Sequence, residues 1–96
     1  MTTFNLKKVW FEQFKNRTKT IEFREFKPYW NKRISKLEVG DFVILACGYP
    51  QYMDSSRMLC AEVVEIDLLK TGKNTDLKID KPVWAIKLRV TENEVR

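Results

Sequence analysis

Three segments in the second half of the chain have the pattern of β-strands, and together they leave few folds open to it. Phe42–Cys47 is an uninterrupted apolar run that follows a turn at Gly40 and Asp41. Residues 58–68 are rich in β-branched side chains, and residues 83–90 alternate large apolar side chains with small or basic ones. We therefore predict three strands here, joined by turns.

The first segment of the chain has helical spacing instead. Leu6, Trp10 and Phe14 recur every four residues, which predicts a short helix from about residue 6 or 7 to residue 15. Asn5 stands where its side chain could cap the first free amides. Residues 26–34 predict a short helical turn, because Pro28 suits the first helical position, where no amide proton is needed.

Residues 19–24 alternate between apolar and polar side chains. Ile21 and Phe23 fall on one face, and Thr20, Glu22 and Arg24 fall on the other. This is typical of a half-buried strand whose second face is polar.

The order of these elements predicts the α+β class. We expect a small mixed β-barrel of about five strands, with a short N-terminal helix and one short helical turn. Closing the sheet into a barrel would also protect the edges of its apolar strands. The 96 residues are the length of one domain and contain no repeat or linker, so residues 1–96 are predicted to form a single domain.

Composition excludes several kinds of chemistry. The chain has no histidine, and Cys47 and Cys60 are too far apart for a CxxC motif, so no metal and no cofactor is expected. No apolar run could cross a bilayer and the first residues do not resemble a signal peptide, so we expect a cytoplasmic location without a membrane partner. The formal net charge of +5 is compatible with a polyanionic partner without identifying one.

The charged residues of the 19–24 segment are the main candidates for a binding site. Glu22 and Arg24 share one face of the predicted strand. Lys19 falls on the opposite face of a regular strand, so it meets them only if it lies in the turn before the strand. On chemistry alone, Glu22 and Arg24 could equally form a surface ion pair worth about 0–1 kcal/mol.

The run Thr18-Lys19-Thr20-Ile21-Glu22-Phe23-Arg24 resembles the signature of the ASCH family, usually written GxKxxExR. Lys19, Glu22 and Arg24 occupy its three charged positions, and Arg17 stands where the signature has glycine. The turn at residues 39–41 and the strand at residues 60–66 are also similar to the family pattern, so the resemblance covers about residues 6–90. It implies a PUA-like barrel with a cleft beside the motif that recognises RNA, a nucleotide or a modified nucleoside.

Each of the three side chains suits such a ligand. Lys19 offers a point charge to a phosphate or a base carbonyl, and Arg24 offers a planar fork that can bind phosphate or stack on a base. Glu22 can accept hydrogen bonds from an exocyclic amino group or a ribose hydroxyl. Further ligand-binding candidates interleave aromatic and basic groups after the strand or lie in the loop after residue 47: Tyr29, Lys32, Arg33, Tyr49 and Tyr52.

Two functions follow from the resemblance. The first is a module that binds RNA or a nucleotide. The second is a hydrolase, because some small ASCH proteins hydrolyse N4-acetylcytidine with a Lys, Thr and Glu set and others cleave RNA. Lys19 matches the catalytic lysine, but Glu22 stands in place of the threonine nucleophile, and Thr20, a fallback nucleophile, points to the face opposite its neighbour Lys19. Lys19 and Glu22 are the catalytic candidates if the protein is an enzyme. A domain that regulates another protein is a third hypothesis, which no residue singles out.

Overall fold

Five strands and two short helices follow one another in the computed structural model, which describes residues 1–49 and 55–92. The strands are β1 (Thr3–Leu6), β2 (Ile21–Glu25), β3 (Phe42–Cys47), β4 (Met58–Leu69) and β5 (Val83–Glu92). Helix α1 (Lys8–Lys15) lies between β1 and β2, and α2 (Pro28–Ile34) lies between β2 and β3. A single 3₁₀ turn (Ser55–Arg57) precedes β4.

The strands form one mixed sheet in the order β1-β3-β4-β5-β2. β1 pairs with β3 in parallel, and the other neighbouring pairs are antiparallel. The two edge strands are linked by Arg24 of β2, whose Nη2 donates a hydrogen bond to the main-chain oxygen of Asn5 in β1 at 3.0 Å. The sheet is therefore curled into a half-barrel. This confirms the α+β class and the small curled sheet, an architecture compatible with a PUA-like barrel.

Buried side chains from both ends of the chain meet inside the curl. Phe4 and Leu6 of β1, and Phe11 and Phe14 of α1, pack against the inward-facing residues of the longer strands. In β5 these are Ile86, Leu88 and Val90, which follow the predicted alternation. Ile34, at the end of α2, is also part of this core.

The start of the chain differs from its prediction. Residues 3–6 form a strand rather than the approach to a helix, because Phe4 and Leu6 both point into the core and pair along β3. Asn5 does not cap α1: its Nδ2 donates to the main-chain oxygen of Gly48 at 2.7 Å, and Lys7 stands at the cap position without a side-chain hydrogen bond. The buried stripe of α1 consists of Phe11 and Phe14, whereas Trp10 is only half-buried.

Residues 70–82 connect β4 to β5 and form a small folded excursion. Gly72 and Ile79 make an isolated antiparallel bridge, and the buried Thr75 donates its Oγ1 hydrogen to the oxygen of Gly72 at 2.8 Å. A side chain at position 72 would not fit, since a Cβ there would lie 2.6 Å from the Cγ1 of Val83. The turn that these contacts stabilise carries Asp76.

Candidate functional site

Strand β2 directs Glu22 and Arg24 towards the inside of the curled sheet. In the antiparallel pairing with β5, Glu22 lies opposite Ile86 and Arg24 lies opposite Trp84. Cross-strand partners point to the same face, and Ile86 is fully buried, so the charged face of β2 is the inner face. The polar face of the predicted strand is therefore the inward one, and Glu22 is the most buried residue of β2.

Arg24 is held from several sides. Its Nε donates to Oε2 of Glu22 at 2.8 Å, and its Nη2 is paired with the same carboxylate and bonded to the oxygen of Asn5. The guanidinium lies over the ring of Trp30 at 4.6 Å and over that of Phe4 at 5.3 Å. The side chains of Arg24 and Glu22 are only 17% and 7% exposed. This pair therefore joins the two edges of the sheet, and it is not a solvated surface pair.

The environment of the Glu22 carboxyl shifts its pKa upward. Burial raises its pKa above the ordinary value, and the charges and hydrogen bond of Arg24 and the charge of Lys19 oppose that rise without cancelling it. The carboxylate of Asp76 adds a smaller upward effect. Glu22 can thus exchange a proton closer to neutrality than an ordinary glutamate.

Lys19 lies just before β2, but it does not line the same hollow as Glu22 and Arg24: it lines a separate hollow that Thr20 also borders. Its ammonium forms an ion pair with the carboxylate of Asp76 and lies over three rings, those of Trp10 at 5.2 Å, Phe23 at 5.3 Å and Phe14 at 5.6 Å. Its side chain is 8% exposed. The charge of Lys19 therefore acts on Glu22 without lining the cleft, and Asp76 is the member of this ion pair that does line it.

An open cleft of about 330 Å³ runs along the free edge of β2. Trp10, Phe23 and Trp30 contribute aromatic surface to it, and Leu77 and Ile79 contribute apolar surface from the excursion between β4 and β5. Its charged lining consists of three basic and three acidic side chains: Lys7, Arg24, Lys27, Glu22, Glu25 and Asp76.

Two residues of the cleft were missed in the sequence. In the sequence, Trp10 belongs to the apolar stripe of the predicted helix and gives no sign of a place in a cleft. Asp76 lies in a segment without periodicity, and only its ion pair with Lys19 reveals its place. None of the described residues that line the cleft is a serine, threonine, tyrosine or cysteine. Thr20 is exposed and borders a different hollow, beside Lys87 and Arg89.

The remaining candidates lie apart from the cleft. Tyr29, Lys32 and Arg33 border a second hollow of about 580 Å³ alongside α2. Tyr49 is 88% exposed and lines neither hollow, and Tyr52 lies outside the described residues. Within residues 1–49 and 55–92 no cluster of three metal-ligating side chains occurs, and no helix in that part of the chain is long and apolar enough to span a membrane.

Comparison with known proteins bears on the fold. No protein-family model matches the sequence, and no curated protein matches it at a significant level. Among solved structures, the chain is similar to the crystal structure of hypothetical protein PH0355, with a TM-score of 0.61 and 14% sequence identity. The match covers 92% of this chain and 96% of that one. The likeness extends over nearly the whole of both chains, so this protein shares its small α+β fold with PH0355.

Proposed function

We propose that this chain is an ASCH-type domain that binds RNA or a nucleotide in the cleft along β2. The observation that carries the proposal is the buried Glu22–Arg24 pair, which borders an open cleft with aromatic surface from Trp10, Phe23 and Trp30. The resemblance of residues 18–24 to the family signature and the compatible fold support it. A cytoplasmic location belongs to the same proposal.

The lining of the cleft suits a planar, hydrogen-bonding ligand. Aromatic side chains can stack on a base whatever its identity. Glu22 can accept a hydrogen bond from an exocyclic amino group or a ribose hydroxyl, and Arg24 can donate from a fixed plane. The two side chains hold each other, and the main-chain oxygen of Asn5 holds Arg24 as well, so little side-chain freedom is lost on binding. The volume of about 330 Å³ lies within the usual range of small-molecule sites.

Lys19 has an indirect role in this proposal. Its ammonium is enclosed by rings and paired with Asp76, so it orients the Asp76 carboxylate at the cleft. The direct cationic contacts from the cleft then come from Arg24, Lys7 and Lys27, all of which line it.

A second candidate is a hydrolase acting on a modified nucleoside such as N4-acetylcytidine, or on RNA. The raised pKa of Glu22 favours it, because a carboxyl that titrates nearer neutrality can act as a general acid or base. The described lining offers no hydroxyl or thiol, so the nucleophile would be water rather than a side chain. We rank it second because the catalytic lysine of the family pattern is here paired with Asp76.

One screen tests both candidates. Nucleosides, nucleotides and short RNAs are added to the protein, and both the thermal shift and the reaction products are measured. The binding function predicts a shift without product, and affinity about tenfold or more weaker in Glu22→Gln, because a hydrogen bond to a charged acceptor is lost.

The matched control is Glu65→Gln, since Glu65 is an exposed glutamate on β4 that does not line the cleft. It should bind like the unmodified protein, and urea unfolding should show that both variants fold. Product formation that disappears in Glu22→Gln would establish the hydrolase. Absence of both shift and product with every ligand would refute both candidates.

A further inference from the structure

The cleft does not have the charge expected of a site for phosphate. Its described lining contains equal numbers of basic and acidic side chains, and all three acidic ones form ion pairs, Glu22 with Arg24 and Asp76 with Lys19 among them. Glu25 lies 3.9 Å from the ammonium of Lys27 and from that of Lys81. An anion entering the cleft would meet carboxylates at close range.

The hollow beside α2, which we call the α2 groove, has the opposite character. Lys32, Arg33 and Lys36 border it, and none of its described lining residues is an aspartate or glutamate. All three side chains belong to exposed residues. No described carboxylate lies within ion-pair distance of any of them. The groove is therefore a concave surface with uncompensated positive charge.

One of these cations is already oriented. Arg33 donates from Nη1 to the main-chain oxygen of Tyr29 at 3.0 Å, and its guanidinium lies 3.6 Å from the centre of the Tyr29 ring. This stacking fixes the plane of the guanidinium at the surface, which lowers the entropy cost of binding a phosphate.

The groove and the cleft are joined by a continuous row of contacts. The guanidinium of Arg24 lies over Trp30, the rings of Trp30 and Tyr29 meet edge to face at 4.9 Å, and Tyr29 stacks with Arg33. Asn5 lines both hollows. The two hollows are therefore adjacent, and a single extended ligand could reach both.

We propose that the ligand is a single-stranded oligonucleotide, with one base in the cleft and the phosphates of neighbouring nucleotides in the α2 groove. This rests on the proposed binding function and specifies its ligand class. In the cleft, the base and ribose contact aromatic side chains and charged side chains that are already ion-paired. The α2 groove supplies most of the electrostatic affinity. A free nucleoside satisfies only the first of these two sites.

The test compares two double variants that remove the same charge. Lys32→Gln with Lys36→Gln alters the α2 groove, and Lys70→Gln with Lys87→Gln removes two exposed lysines that line neither hollow. Binding of a mixed-sequence single-stranded RNA of about eight nucleotides, within the usual site size of small domains, is measured by fluorescence anisotropy across a salt series. A nucleoside mixture is measured by thermal shift.

The proposal predicts that the α2-groove variant loses about tenfold in oligonucleotide affinity at low salt. Its slope of log K against log salt should fall by about 1.4, at about 0.7 for each lost phosphate contact on a single strand. Nucleoside binding should not change, and the control variant should change both by less than about twofold.

Several results would overturn this inference without touching the proposed function. They are equal affinity for nucleoside and oligonucleotide, equal losses in the two double variants, or competition by inorganic polyphosphate that is as strong as competition by the oligonucleotide. A single-stranded DNA of the same length that binds equally well would support the inference, since it does not depend on the 2′-hydroxyl. If Glu22→Gln leaves oligonucleotide binding intact while the α2-groove variant abolishes it, the function proposed for the cleft fails instead.

Discussion

The described part of the chain contains two glutamate–arginine ion pairs that lie in contrasting environments. Glu22 and Arg24 lie two residues apart on one edge strand and point into the curled sheet. Glu62 and Arg89 face each other across β4 and β5, and their side chains are 25% and 69% exposed. The first pair joins the two ends of the sheet and borders the cleft, whereas the second lies on the solvent side. Burial, and not residue type, determines which of the two has structural importance.

The largest difference between the pairs should be in the free energy of unfolding. Arg24→Met leaves the Glu22 carboxylate buried without its partner and removes the hydrogen bond to Asn5, so we expect a loss of about 3–5 kcal/mol at pH 7 in urea unfolding. The double variant Glu22→Gln with Arg24→Met should recover part of that loss, because no buried charge then remains. A loss below about 1 kcal/mol in the single variant would show that solvent reaches the pair.

The ion pair of Lys19 with Asp76 should have the next largest effect. Lys19→Met keeps an apolar stem among the rings of Trp10, Phe14 and Phe23 but removes the charge, and we expect a loss of about 1–3 kcal/mol. Because Asp76 lies on the excursion between β4 and β5, amide exchange at Gly72, Thr75 and Lys78 should also become faster.

Lys87→Met is the matched control for this prediction, since Lys87 is exposed on β5. It should change neither the stability nor the exchange at those three amides. Unchanged exchange in Lys19→Met would mean that the hydrogen bonds of the excursion itself are enough to order it.

The elements that could be predicted from the sequence are those that carry their own periodicity. Strands β3, β4 and β5 and helix α2 were found almost to their ends, because each carries its own periodicity, and in α2 a proline at the first position. Strand β1 was missed, although Phe4 and Leu6 alternate, because its partner β3 lies about forty residues further along the chain. A four-residue strand without a local partner gives too weak a pattern to compete with helical spacing.

The candidate site was less predictable than the fold. Alternation along β2 separated Glu22 and Arg24 from Ile21 and Phe23, but alternation does not say which face points inward. Two charged residues of opposite sign can occupy the inner face because they compensate each other. Asp76 could not be placed at all, since its position depends on the folded excursion of residues 70–82 and not on its neighbours in sequence.

The pH dependence of stability should also distinguish the Glu22–Arg24 pair from the Glu62–Arg89 pair, by a smaller effect. The pKa of Glu22 is raised in the folded protein. At a pH between the ordinary glutamate pKa and this raised pKa, the folded state therefore keeps the proton while the unfolded state loses it. Stability contributed by Glu22 is therefore greatest below that window and falls as the pH rises through it. In Glu22→Gln this fall should disappear from the curve of unfolding free energy against pH, whereas Glu62→Gln should keep it. An identical curve in Glu22→Gln and the unmodified protein would contradict the raised pKa.

The exposed pair should give the smallest effect of all. Arg89→Met removes the partner of Glu62, but water can solvate the carboxylate that remains, so the expected change in unfolding free energy is about 0–1 kcal/mol. Added salt should shrink even this difference, because exposed charges are screened, whereas the loss caused by Arg24→Met should respond much less to salt. Urea unfolding of both variants at low and high ionic strength measures the contrast directly. If the two losses proved equal and equally sensitive to salt, the Glu22–Arg24 pair would have no special role in joining β1 to β2, and the cleft beside it would lose its rigid border.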